Sequence, residues 1–132
     1  MAHWLLKTEP GRYGWNDLLR ERETEWTGVR NRAAAAHLSA MAVGDVVLVY
    51  HGVAQKAVVG TAYVVRTAQP EGVVAPWVSV AIRAGDTLPR PVMLAAMKQN
   101  TALAGIVMLR QSRLSVSPVT DAEWAEMLGS AT

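Results

Sequence analysis

Cysteine and phenylalanine are both absent from the 132 residues. Without cysteine the chain has no disulfide framework, no thiolate metal site and no cysteine nucleophile, a composition typical of a reducing compartment. No stretch approaches the roughly 18 apolar residues of a membrane helix. The first residues, MAHWLLKTEP, also lack the basic and apolar regions of a signal peptide. We therefore expect a cytoplasmic protein without membrane contact, and we expect it to be a monomer.

The common signatures of catalysis are also missing. The chain contains no GxSxG, no P-loop and no GxGxxG motif. His3, His37 and His51 are widely spaced and do not follow a metal-ligand pattern. We therefore expect no metal, no cofactor and no catalytic residue. The net charge of +2 permits a nucleic-acid partner, but an ordinary solvated surface explains it equally well.

The segments that are present are short strands and short helices, with no low-complexity linker between them. This organisation predicts a single domain over residues 1–132. The helical segments are too short and irregular to act as regular βαβ crossovers, so the pattern favours an α+β fold built on a small mixed β-barrel of about five to six strands with short peripheral helices. Strands are predicted at residues 3–7, 46–50, 58–66, 77–83 and 113–116, and helices at 15–20, 31–41, 94–98 and after 120.

Local patterns add detail to three of these elements. The run from Val46 to Tyr50 is apolar throughout, which predicts a strand buried on both faces. Gly60 lies inside the next strand, where an interior glycine often indicates a bulge or a close backbone approach. Thr120 and Glu123 form a capping box that predicts the start of the last helix.

Two candidate site segments lie in the first third of the chain. Lys7, Thr8 and Glu9 follow one another where the first predicted strand ends, and a solvated turn is the ordinary interpretation of such a segment. Trp26 lies in a polar, glycine-containing stretch, where it is either a lid over the core or a platform on which a base stacks. Asn31 suits either a base edge or the cap of the following helix.

Two further segments complete the set. Tyr50 and His51 end the most buried predicted strand, and strand ends that border loops often form pocket rims. Arg110 and Arg113 flank a polar step that leads into the last predicted strand. Arginines beside aromatic groups suit phosphate binding, although a solvated turn fits the same residues.

Taken together and in order, these segments resemble the EVE domain family. The stretches that carry the resemblance are WLLKTEP, EWTGVRN, VGDVVLVYH, VVGTAYVV, LPRPV and LRQSRLSVSPVT, and they cover nearly the whole chain. The resemblance implies a PUA-like fold, related to YTH and ASCH domains, with a pocket for a modified nucleobase in DNA or RNA. By that resemblance the base pocket is formed by Lys7, Thr8, Glu9, Pro10, Trp26, Val29, Asn31, Tyr50 and His51. The phosphate-binding rim is formed by Arg30, Arg110, Gln111 and Arg113.

The chain departs from the family pattern at two places that border this pocket. Gly52 stands where the family often has serine, which removes one hydroxyl contact. Residues 69–76 replace a longer, aromatic-rich insert, which predicts a more open pocket or a different ligand.

Three functions are compatible with these residues. The first is a non-enzymatic module that binds nucleic acid through a modified base. The second is an ASCH-like amidohydrolase that acts on a modified cytidine with Lys7, Thr8 and Glu9. Adjacent strand residues point to opposite faces, so only two of these three are expected to share a pocket easily. The third is a domain that binds a small molecule or a protein.

Overall fold

The computed structural model describes residues 1–132 and contains one six-stranded sheet with the order β2-β5-β4-β3-β1-β6. The strands are β1 His3–Thr8, β2 Glu23–Trp26, β3 Val46–His51, β4 Ala57–Pro70, β5 Val78–Met93 and β6 Val116–Val119. The helices are α1 Trp15–Glu21, α2 Arg32–Ala40, α3 Leu94–Gln99, α4 Val107–Arg110 and α5 Asp121–Ser130, with a short 3-10 helix at Thr101–Leu103.

The sheet is mixed, because β1 pairs in parallel with β3 while the other neighbouring strands are antiparallel. Both faces of β1 and β3 are covered, and all six residues of β3 are buried. This confirms the prediction made from the apolar run. The ends β2 and β6 are not paired with each other, so the predicted barrel is an open one.

Two apolar cores lie against the two faces of the sheet. One contains Trp4, Leu6, Val47 and Val49 together with α1 and α2 side chains. The other contains Leu5 and Leu48 together with side chains of the C-terminal helices. This division follows from the alternation of side chains along β1 and β3.

At Gly60 the backbone of β4 lies very close to the Trp15 side chain, a close approach of the kind that the sequence predicted. A Cβ atom at this position would lie only 2.3 Å from the Trp15 indole. The register of β4 also shifts on both sides of Gly60. The indole nitrogen of Trp15 donates a hydrogen bond to Thr87 Oγ1 at 2.8 Å, and this bond holds the ring in position over Gly60.

Strand β5 extends well beyond residue 83, where the predicted strand ends, and it includes the prolines at 89 and 91. β5 continues through them to Met93. The ladder pairs Val58 with Val92 and then Gly60 with Thr87, so the prolines lie in a bulged stretch. Proline lacks an N–H donor, and a bulge is where a strand tolerates this.

The C-terminal elements differ from the prediction mainly in their boundaries. The last strand is β6 at 116–119, not 113–116, and the segment before it contains α4, which the pattern did not indicate. The capping box of α5 is confirmed, because Thr120 Oγ1 accepts from Glu123 N at 3.1 Å and Glu123 Oε1 accepts from Thr120 N at 2.9 Å.

Candidate functional site

A cavity of about 640 Å³ lies beside the gap between β2 and the segment that precedes β6. Its volume is within the range of about 300–1,000 Å³ typical of small-molecule sites. The central strands β4 and β5 contribute no residue to its wall. The predicted site residues that line it are Lys7, Thr8, Glu9, Trp26, Val29, Arg30, Asn31, Tyr50 and Arg113.

Lys7 and Tyr50 are adjacent in the cavity wall, because the parallel register of β1 and β3 pairs these two residues. Lys7 Nζ donates to the carbonyl oxygen of Ser112 at 2.6 Å and lies 5.8 Å from the centroid of the Tyr50 ring. Tyr50 is only 4% exposed. Its hydroxyl makes no hydrogen bond within the protein and is not sealed from solvent, since Tyr50 lines the cavity.

Burial affects the two groups in the expected directions. It lowers the pKa of Lys7 and raises the pKa of Tyr50, because both charged forms lose hydration. At neutral pH the phenol is therefore neutral and able to donate a hydrogen bond. The wall offers two neighbouring donors to an acceptor on a ligand.

Thr8 and Glu9 line the cavity together with Lys7, so the expectation that only two of the three share it is wrong. Strand β1 ends at Thr8, and the alternation of faces does not extend to Glu9 in the turn. Thr8 Oγ1 donates to the Tyr13 carbonyl at 2.5 Å, and Glu9 Oε2 lies 3.8 Å from Arg12 Nε. The three side chains therefore contact other groups, with no hydrogen bond among themselves.

Trp26 belongs to strand β2 and not to a loop. It is 8% exposed and is part of the larger apolar core, although one part of it reaches the cavity. Its ring meets the ring of Tyr13 edge to face, with centroids 5.9 Å apart. Most of the indole is thus a wall of the core, with little surface left for a stacked base.

Glu71 holds the loop that follows β2. The Gly28 backbone N–H lies 3.1 and 3.2 Å from the two Glu71 carboxylate oxygens, and φ of Gly28 is +81°, a left-handed conformation that suits glycine. The Arg30 guanidinium meets the same carboxylate through both terminal nitrogens, at 3.2 and 2.9 Å. The guanidinium carbon also lies 5.5 Å from the Trp77 ring centroid. Because Arg30 is paired with Glu71, it is not free for a phosphate in this structure.

Asn31 is the N-cap of α2, one of the two roles left open by the sequence. Its Oδ1 accepts from Ala34 N at 3.0 Å. Asn31 is exposed and lines the cavity, and its amide nitrogen makes no hydrogen bond within the protein. Capping therefore leaves the amide donor available to a ligand.

Four predicted site residues do not line the cavity: Pro10, His51, Arg110 and Gln111. His51 is buried, and its Nε2 accepts from Trp15 N at 2.9 Å while its Nδ1 lies 2.8 Å from Gln55 Oε1. Both ring nitrogens are used to hold α1 and the turn after β3. Arg110 ends α4 and Gln111 caps it, which separates them from Arg113.

Eleven lining residues were not predicted: Arg12, Tyr13, Thr24, Glu25, Thr27, Gly28, Gly52, Val53, Lys56, Ser112 and Ser115. Arg12 and Lys56 are two of these eleven residues. Together with Lys7, Arg30 and Arg113 they give the cavity wall five cationic residues. Glu9 and Glu25 contribute two carboxylates. Gly52 leaves room for a larger residue, since a Cβ there would meet only the Thr8 carbonyl at 3.8 Å. Crowding therefore does not explain why glycine stands at position 52, where the family often has serine.

The family model for the EVE domain matches residues 2–129. This chain belongs to the EVE domain family. A Rhodopseudomonas palustris protein solved by NMR is 38% identical, with 99% of this chain and 93% of that one covered and a TM-score of 0.94. No match was found among the curated proteins.

Two more distant structures share the fold. The human THYN1 protein, solved in complex with DNA containing 5-methylcytosine, is 24% identical over 99% of this chain and 98% of that one, with a TM-score of 0.90. An ASCH protein of Zymomonas mobilis is 12% identical over 98% of each chain, with a TM-score of 0.65. These likenesses confirm the PUA-like fold of the EVE domain.

The structure contains no helix with the length and apolarity required to cross a bilayer. It also contains no group of three or more histidine, aspartate or glutamate side chains arranged to hold a metal ion.

Proposed function

We propose that this EVE domain is a nucleic-acid-binding module that takes a modified nucleobase into the cavity beside β2. The observation that carries the proposal is the Tyr50 hydroxyl, a donor in the cavity wall that makes no hydrogen bond within the protein and is not sealed from solvent. The rest of the Tyr50 side chain is buried and holds this donor in place, so an acceptor atom on a ligand can bond to the hydroxyl without displacing a protein partner. The binding of 5-methylcytosine DNA by the THYN1 protein supports a base as that ligand.

The remaining groups are arranged for the same task. Lys7 and Tyr50 donate to acceptor atoms on the base edge, and the free amide of Asn31 adds a third donor at the rim. Lys56 and Arg113 are exposed and form no ion pair within the protein, so they are the cations that face the phosphates. This assigns phosphate contacts to Arg113 and Lys56 in preference to Arg30.

The proposal is tested by fluorescence anisotropy with labelled single strands that differ at one base. The strands carry cytosine, 5-methylcytosine, 5-hydroxymethylcytosine or N6-methyladenine at that position. We expect one modified strand to bind at least about tenfold more tightly than its plain counterpart, which corresponds to 1.4 kcal/mol. Equal affinity for every strand contradicts the proposal.

Tyr50→Phe is the sharpest variant, because it removes only the hydroxyl and keeps the ring in the core. We expect about a five- to tenfold loss of affinity for the preferred strand with no loss of thermal stability. Tyr63→Phe removes an exposed hydroxyl outside the cavity and is the matched control. Unchanged affinity in Tyr50→Phe argues against a base at this position.

The proposed activity is binding without turnover. The hydroxyl of Thr8 and the ammonium of Lys7 are each bonded to a backbone carbonyl, an arrangement that does not favour a nucleophile beside its base. We expect N4-acetylcytidine to remain intact after incubation with the protein. Release of acetate that disappears in Lys7→Met would instead support the hydrolase.

A further inference from the structure

The turn between β3 and β4 presents an apolar side chain at the cavity mouth. Val53 lines the cavity, is 64% exposed and has a φ of +63°. A β-branched residue strongly disfavours this left-handed conformation, because its branched side chain crowds the backbone. Strained residues of this kind persist only where the surrounding structure imposes them, and they cluster at ligand-binding sites.

The contacts of the turn explain how this conformation is imposed. Gly52 N donates to the Thr8 carbonyl at 2.8 Å, and the Lys56 carbonyl accepts from Leu94 N at 2.8 Å. Between these two anchors, Gln55 Oε1 lies 2.8 Å from His51 Nδ1. The turn is therefore tied to β1, to the start of α3 and to the buried histidine. Val53 is held outward at a fixed position relative to the cavity.

We propose that Val53 is the wedge that enters the base stack when the cavity takes a base out of a duplex. This inference rests on the proposed function. Extruding a base leaves a gap and costs unstacking energy, and proteins commonly offset this cost by inserting an apolar side chain between base steps. Lys56 lies in the same turn and supplies a cation to the adjacent backbone.

The position of Val53 distinguishes it from the other exposed apolar side chains. Val73 and Val74 are also exposed, but they lie at the tip between β4 and β5 and do not line the cavity. Only a side chain at the mouth is close enough to replace the base that enters. A single strand has no stack to fill, so the wedge is needed for duplex DNA and not for single strands.

The test compares duplex and single-strand probes that carry the same preferred base. In Val53→Ala we expect about a tenfold loss of duplex affinity and less than about a twofold change for the single strand. Val53→Gly is the second variant, and we expect the same binding result without a lower Tm because glycine adopts a positive φ freely. Val43→Ala is the control, since Val43 is also 64% exposed but lies outside the cavity.

A 2-aminopurine placed next to the target base in the same strand and paired with thymine reports the unstacking that accompanies extrusion of the target base. We expect its fluorescence to rise with the unaltered protein and to rise less with Val53→Ala at equal occupancy. Full duplex affinity in both variants, beside normal single-strand binding, overturns the role of Val53 and leaves the proposed function standing. Failure of the unaltered protein to prefer any modified strand overturns the proposed function and the wedge with it.

Discussion

Two carboxylates, Asp45 and Glu71, collect hydrogen bonds in the same way at two different regions of the molecule. Asp45 lies at the end of β3 remote from the cavity and accepts from Ala2 N at 3.0 Å, Trp4 Nε1 at 2.9 Å and Ala42 N at 2.9 Å. Glu71 lies near the cavity mouth and accepts from Gly28 and Arg30. Asp45 accepts from two backbone N–H groups and one side-chain donor, and Glu71 accepts from one backbone N–H group and one side-chain donor.

The difference between them is burial. Asp45 is 4% exposed, and its donors belong to two segments about 40 residues apart in sequence, residues 2–4 and the turn before β3. Glu71 retains more contact with water, and its donors all belong to the loop after β2. The same chemistry therefore stabilises the whole domain at one end and positions a binding loop at the other.

Asp45→Ala is expected to have the largest effect on stability. It leaves the Trp4 indole and two backbone N–H groups without partners in a buried site, at a cost of about 1–3 kcal/mol for each group that stays unsatisfied. We expect the free energy of unfolding to fall by about 3 kcal/mol or more, measured by urea denaturation. Asp86→Ala, which truncates an exposed carboxylate, is the control and should stay within about 0.5 kcal/mol. A similar small change in Asp45→Ala would show that these donors find other partners.

Lowering the pH is expected to remove part of the stabilisation that the Asp45 carboxylate contributes. Burial on its own raises the pKa of Asp45, but the hydrogen bonds from Ala42, Trp4 and Ala2 outweigh it and hold the pKa below its ordinary value. A carboxyl whose pKa is lower in the folded state stabilises that state above its unfolded pKa of about 3.9, and this stabilisation is lost as the pH falls through the folded pKa.

The experiment compares the unaltered protein with Asp45→Asn at pH 7 and at pH 3. We expect the difference in unfolding free energy to be smaller at pH 3. An equal difference at both pH values would mean that the charge of Asp45 contributes nothing.

Glu71→Gln is expected to have the smallest effect on stability and a local effect on binding. The Arg30 guanidinium is the main cause that holds the pKa of Glu71 below its ordinary value, and the variant removes the charge that makes this pair. We expect little change in Tm, faster amide exchange at residues 27–31 and about a threefold to tenfold loss of affinity, because the loop must be ordered on binding.

Glu23→Gln is the matched control for this variant. It breaks the pair that Glu23 makes with Arg83, and neither residue lines the cavity. Equal losses of affinity in the two variants would show that Glu71 affects binding only through its contribution to the net charge of the protein.

The difference between the two carboxylates also shows what the sequence could predict. Continuous apolar runs and a capping box act over a few residues, so β1, β3, α2 and α5 were recognisable. Strand β2 was missed because Glu23–Trp26 is short and polar and is a strand only through pairing with β5. The partner of Arg30 was not visible, since Glu71 lies 41 residues away in sequence.

In the candidate site, too, some contacts could be predicted from the sequence and others could not. Lys7 and Tyr50 were predicted to lie in one pocket, and the parallel register places them side by side. The resemblance implied that His51 belongs to the base pocket, but its two ring nitrogens lie within hydrogen-bond distance of Trp15 N and Gln55 Oε1 instead. Val53 was passed over because valine in a turn carries no polar signal.

The pairing of β1 with β6 bears on how the molecule folds. It joins residues 3–6 to residues 116–119, and the cavity draws on the same two parts of the chain. Contacts so far apart in sequence close large loops and tend to form slowly. The cavity is therefore expected to be completed late in folding, so that a partly folded or nascent chain has no binding activity.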